Sequence, residues 1–194
     1  MKFQHYAIAL FTFGCLACGA DMPDYYPKPD GYLRLDFPER TYTKYETACP
    51  YAFEIPDYFN VIDKDSFCNM KDILMPRFNA QLNLTYIPVD TNLLLLIEKS
   101  RQLVYEHSQF ADGIDESVIA DASKGTYGIR YQITGDAASP YQFYLTDSTD
   151  HFLRGALYFN VKPNYDSVKA SLDYIQEDLD HMLETVIWKN DSLK

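Results

Sequence analysis

Several things are scarce in these 194 residues, and each shortage excludes something. Basic charge is in short supply: 17 Lys and Arg stand against 28 Asp and Glu, for a formal net charge of −11. With no basic run anywhere, the chain repels phosphate backbones and anionic lipid surfaces, so nucleic-acid binding is not expected. No stretch supplies the roughly 20 consecutive apolar residues that a membrane-spanning helix requires. Cysteine is limited to 4 residues and histidine to 4. No second Cys or His pair at ligand spacing follows Cys15 and Cys18, so neither a zinc site nor any other metal site is expected. His107 and His181 fall on helical segments without metal-spaced partners. There is one tryptophan, no internal repeat and no second domain boundary. Disorder is excluded as well, since 47% of the residues are hydrophobic.

Tyrosine and phenylalanine are abundant, at 17 and 12 residues. Tyrosine suits half-buried sheets, where the ring packs and the hydroxyl stays wet. A Tyr-rich sheet is the first expectation, and a Tyr-lined binding face is the alternative.

The amino terminus reads MKFQHYAIALFTFGCLAC. A lysine is followed by a short apolar run and then by small residues, the pattern of an export signal. Cys15 and Cys18 each follow a small residue, as in a bacterial lipobox, where a cysteine is acylated and becomes the first mature residue. Cys18 has the longer apolar run before it and acidic sequence just after it; Cys15 is the alternative. The expected organisation is a lipoprotein signal peptide at 1–17, a Pro-rich tether at 18–31 and one domain at 32–194. Three prolines in the tether favour extended polyproline-like geometry, so about 13 residues at about 3 Å each would reach about 40 Å.

Along the domain, alternating patterns predict strands at 31–37, 51–55 and 80–89, with a weaker strand or loop at 56–63. Leu93, Leu96, Ile97, Leu103 and Val104 form a helical stripe, with Asp90 or Thr91 as its cap. Turn signals divide residues 126–162 into a three-stranded antiparallel meander. A long C-terminal helix follows, its apolar stripe running from Val168 through Leu172, Ile175, Leu179 and Leu183 to Val186. Asp173, Glu177, Asp180 and Glu184 lie off that stripe and read as a solvated face. Strands outnumber helices without a βαβ repeat. The fold class is therefore α+β, a mostly antiparallel sheet with two main helices packed on it.

Cys49 and Cys68 remain in the domain. In an oxidising compartment two such cysteines can pair, closing a loop of about 20 residues; two separate buried thiols are the alternative. The stretch YLTDSTDHFLRG gathers Asp147, Ser148, Asp150, His151 and Arg154. These residue types can build a nucleophile, a base and a carboxylate. No nucleophile elbow surrounds Ser148, and neighbours on one loop rarely converge on a shared centre. A hairpin turn held by local Asp and Ser hydrogen bonds is the plainer reading. Asp147, Asp150, His151 and Arg154 are then a candidate interaction surface. The enzymatic alternative is a small envelope hydrolase using Asp150 and His151 as acid and base.

Three stretches resemble the gliding-motility lipoprotein GldD family: YYPKPDGYLRLDFPERTY at 25–42, CPYAFEIPDY at 49–58 and PYQFYLTDSTDHFLRGALYFNVKPNYDS at 140–167. CNMKDILMPRFNAQLNLTY at 68–86 matches more loosely. The resemblance implies a lipoprotein needed for surface gliding, in machinery linked to type IX protein secretion. Its partners would be other envelope proteins of that machinery. It carries over no enzymatic activity and no cofactor. The family's lipidated cysteine falls on Cys18, and its later cysteine positions fall on Cys49 and Cys68. The expected location is the cell envelope, lipid-anchored to either membrane and facing the periplasm.

Overall fold

Among the described residues, ten strands and two α-helices build the domain, most of them where alternation and helical periodicity place them. The computed structural model describes residues 36–189. The leader, the tether, Cys15, Cys18 and residues 31–35 of the first expected strand lie outside those residues. Residues from Phe37 onward form one unit.

The strands are β1 (Tyr42–Glu46), β2 (Tyr51–Pro56), β3 (Asn60–Asp63), β4 (Met70–Met75), β5 (Ala80–Pro88), β6 (Ala111–Asp121), β7 (Thr126–Gly135), β8 (Tyr141–Thr146), β9 (His151–Phe159) and β10 (Ile187–Trp188). The helices are α1 (Leu93–Tyr105) and α2 (Tyr165–Glu184). Seven strands form one antiparallel sheet in the order β3-β4-β5-β9-β8-β7-β6, and β1-β2-β10 form a small second sheet. The fold is α+β, and the meander at 126–162 is β7-β8-β9.

Period-two patterning assigns each residue a face. In β5, Ala80, Leu82, Leu84 and Tyr86 are buried with α2 and the small sheet. The main core joins Tyr51 and Phe53 of β2, Ile73 of β4, Leu145 of β8 and Leu157 of β9 to Leu172, Ile175, Leu179 and Met182 of α2. Each such side chain contributes roughly 2 kcal/mol, so α2 is held by packing more than by helix propensity. Asn164 caps α2 by accepting the Ser167 amide at 3.1 Å, and Asp166 in the first turn suits the helix dipole. The opposite sheet face carries a smaller core, where Tyr131, Ile133, Tyr144 and Phe152 meet Val104, with Leu93, Leu96 and Ile97 packed against them.

Gly155 sits where Phe143 of β8 lies across β9. A Cβ there would fall 2.2 Å from the Phe143 ring, so only glycine fits.

Four strands differ from expectation. β1, β4, β6 and β10 have too little apolar alternation, or are too short, to signal themselves. At the first expected strand, Asp36 and Phe37 are irregular, and Phe37 instead stacks on Tyr174 of α2, with centroids 4.4 Å apart. Neither Asp90 nor Thr91 caps α1. Asn92 occupies that position and uses its side-chain oxygen to accept the Asp90 amide, not an amide of the helix.

Candidate functional site

The turn between β8 and β9 is built by one carboxylate. Asp147 Oδ1 accepts the amides of Thr149, Asp150 and His151 at 3.0, 2.9 and 2.8 Å, and Oδ2 accepts the Thr149 hydroxyl at 3.0 Å. Ser148 adopts φ 73° to close the turn. Burial works to raise the Asp147 pKa, but the three amides and the hydroxyl outweigh it and hold the carboxyl below its ordinary value. Asp147 is thus a turn organiser.

The turn separates the other residues grouped by the sequence. Asp150 is exposed. His151, only 6% exposed, turns into the core. There its Nδ1 shares a 2.8 Å hydrogen bond with the Tyr86 hydroxyl, and its ring stacks on Trp188 at 5.3 Å. Arg154 stands at an even position of β9, on the opposite sheet face from His151 and Leu153. Its Nη2 donates to Gln142 Oε1 at 2.7 Å. Burial lowers the Arg154 pKa, and no carboxylate lies within ion-pair distance of it among the described residues. An acid–base pair of Asp150 with His151 is therefore not assembled, and Asp147, Asp150, His151 and Arg154 do not form one continuous surface.

Cys49 and Cys68 are joined by a disulfide with Cα atoms 5.5 Å apart, linking the start of β2 to the β3–β4 hairpin. At that hairpin Ile62, Phe67 and Met70 are exposed. The tyrosines are largely structural, in line with the Tyr-rich sheet that was the first expectation: Tyr51, Tyr131 and Tyr141 are among the largest fully buried side chains. Burial pushes the Tyr131 hydroxyl up to about 12.

Sequence reasoning missed Asp178, which is 0% exposed. It accepts Arg40 Nε at 3.0 Å, the Tyr42 hydroxyl at 2.6 Å and the Tyr58 hydroxyl. Arg40 also pairs with Glu177 at 2.7 Å and lies 4.1 Å from the Tyr174 ring centroid. Burial first, then hydrogen bonding to Asp178, raises the Tyr42 and Tyr58 pKa values well above the ordinary one. Residues 37–42 are thereby clasped to α2. A signal was present: Asp178 sits next to Leu179, on the apolar stripe, where an unpaired carboxylate is not tolerated. The α2 acids are not simply solvated either. Asp180 pairs with Arg130 at 2.6 Å and accepts the Tyr141 hydroxyl, Asp173 pairs with Lys169, and Glu177 pairs with Arg40.

Among the described residues no group of three or more His, Cys, Asp or Glu is placed to hold a metal ion, and no helix is long and apolar enough to cross a membrane. His181 pairs with Glu54 at 2.8 Å.

A family model described as gliding motility lipoprotein GldD matches residues 22–188. A search of curated proteins returns no match. Among solved structures, the solution structure of cyanobacterial PsbP (CyanoP) from Synechocystis sp. PCC 6803 is similar at 12% identity. That match covers 73% of this chain and 92% of the other, with a TM-score of 0.42.

Proposed function

Because the chain belongs to the gliding motility lipoprotein GldD family, we propose that it supports surface gliding and the linked type IX secretion machinery through protein–protein contacts, without catalysis of its own. Cys18 carries the acyl chains, with Cys15 lost in the leader, and the domain faces the periplasm at the end of its tether. A single acyl chain anchors only marginally, and two or more make the attachment effectively permanent.

The family match over 22–188 carries this reading. The Cys49–Cys68 disulfide supports it, because such bonds persist in oxidising compartments. The separation of exposed Asp150 from core-facing His151 favours contacts over hydrolysis.

The test is complementation of a gene deletion. Wild-type protein restores spreading and export of secreted proteins. Cys18→Ser does not, and it accumulates as a soluble or unprocessed form. A folded Asp150→Asn/His151→Gln variant restores both phenotypes. Normal spreading and secretion in the clean deletion overturns the role. Loss of function in the folded double variant overturns the non-catalytic reading.

A further inference from the structure

Among the described residues the seven-stranded sheet ends at β6, which pairs on one side only, with β7. Its outer edge therefore presents unpaired backbone N–H and C=O groups along an 11-residue strand. Such edges are commonly blunted by being short, covered or rich in lysine. This one is long, has no strand partner on its outer side among the described residues, contains no basic residue and exposes Val118 to 80%.

A groove runs beside it. Two adjoining hollows of about 270 and 310 Å³ share Ile119 of β6 with Leu183 and Glu184 of α2. Polar groups are stranded there. Thr126, 2% exposed, lines the second hollow, and its Oγ1 has no partner among the described residues; Arg130 Nε in the first hollow is also unpartnered. Orphaned buried donors are destabilising, so the wall of the groove holds unmet hydrogen-bonding capacity.

Charge decides what fits. Asp112, Asp115 and Asp121 lie on β6 and Glu184 overhangs the groove, while Glu116 faces α1 and accepts the Tyr105 hydroxyl at 2.8 Å. The nearby cations are engaged, Arg130 by Asp180, and Lys124 by Asp121 and the Glu184 carbonyl. A second copy pairing through β6 would set acids against acids, in a chain of net charge −11.

We propose that the free edge of β6, with the groove beside α2, takes an extended basic segment of a partner protein as an eighth strand. Main-chain pairing supplies affinity and alternate side chains supply specificity. One apolar side chain enters over Ile119 and Leu183, while lysines or arginines on the same face meet Asp115 and Glu184. The proposal rests on the protein-contact reading above and names the partner's chemistry.

The probe is an 11-residue amidated peptide bearing lysines and one central valine at alternate positions and threonines between them, with a glutamate-for-lysine counterpart, added to the full acylated chain in detergent. Fluorescence anisotropy should show saturable binding of the lysine peptide that weakens with salt. Binding should fall at least tenfold for the glutamate peptide and for Asp112→Lys/Asp115→Lys, neither of whose carboxylates has a side-chain partner among the described residues. Hydrogen exchange should slow across 111–121 when the lysine peptide binds. Equal binding of both peptides, unchanged binding by the variant or unprotected β6 amides would overturn the proposal. So would a dimer joined through β6, which makes the occupant a second copy. A strain carrying the Lys variant that glides like wild type overturns the edge alone and leaves the family role standing, since only the deletion tests that role.

Discussion

Replacing Asp178 by alanine probes the interaction on which the start of the domain depends. The carboxylate is fully buried and accepts from Arg40, Tyr42 and Tyr58. Removing it strands two tyrosine hydroxyls and one guanidinium N–H, each worth about 1–3 kcal/mol when buried without a partner. Arg40 contributes least, because its side chain is 29% exposed and keeps Glu177 at 2.7 Å. A loss of about 3–5 kcal/mol follows, the range for breaking a buried pair from one side. With a urea m-value of about 2 kcal/mol/M, the midpoint falls by about 2 M. Coupling separates this from a plain cavity effect. Tyr58→Phe should cost about 1 kcal/mol in the wild type and little or nothing beside Asp178→Ala, whose hydroxyls are already stranded. Limited proteolysis should open within 37–46 first. A loss below about 1 kcal/mol with strictly additive Tyr58→Phe would refute the clasp.

Three further outcomes are expected. The Asp147 carboxyl is depressed in the folded state, so its stabilisation is full above its unfolded pKa of about 4 and is lost as pH falls through the lower folded value. In acid titrations followed by fluorescence, Asp147→Asn should therefore flatten the stability slope below about pH 4 and leave it unchanged near pH 7; an unaltered acid slope would contradict the turn geometry. Gly155→Ala should cost about 1–3 kcal/mol by thermal melting, because its Cβ would fall 2.2 Å from the Phe143 ring, and Phe143→Leu should recover part of that loss. Replacing Cys49 and Cys68 by serine should cost about 3 kcal/mol in denaturant, since the disulfide spans a sequence separation of 19.

The parts legible in sequence were those with strong periodicity. Val168 to Val186 repeats at helical spacing over a 20-residue helix, and β7-β8-β9 alternates between clear turn signals. β6 was hidden because its residues are intermediate or exposed on both faces, so ADGIDESVIAD shows no clean alternation. β10 has only 2 residues, too few for any pattern, and β1 buries none of its residues fully. The YLTDSTDHFLRG turn was legible as a turn, because Asp and Ser bond locally. Its grouping as one surface was not reliable: period two sends His151 and Arg154 to opposite faces, and the buried stacking on Trp188 depends on a strand 37 positions away in sequence. Asp178 was hidden by its neighbours, since one acid among Asp173, Glu177, Asp180 and Glu184 looks like part of a solvated face until Arg40, Tyr42 and Tyr58 are brought to it from more than 100 residues away.

The clasp also bears on how an anchored domain carries load. A pull on the proposed acyl anchor enters the described residues through the covalent chain near Phe37. Among the described residues the first groups along the chain from that point are the Phe37–Tyr174 stack at 4.4 Å and the Arg40 and Tyr42 bonds to Asp178. All of these end on α2, which is packed into the main core through Leu172, Ile175, Leu179 and Met182. Through these described groups tension passes to the best-buried helix, α2. Weakening the clasp should therefore lengthen the effective tether by the residues released from 37 to 41, at about 3 Å each, before β1 begins at Tyr42. A strain bearing Arg40→Ala, which keeps the Tyr42 and Tyr58 bonds to Asp178, separates the two roles. If the clasp serves only folding, spreading should track the protein's abundance. If it transmits load, spreading should fall while abundance and export hold.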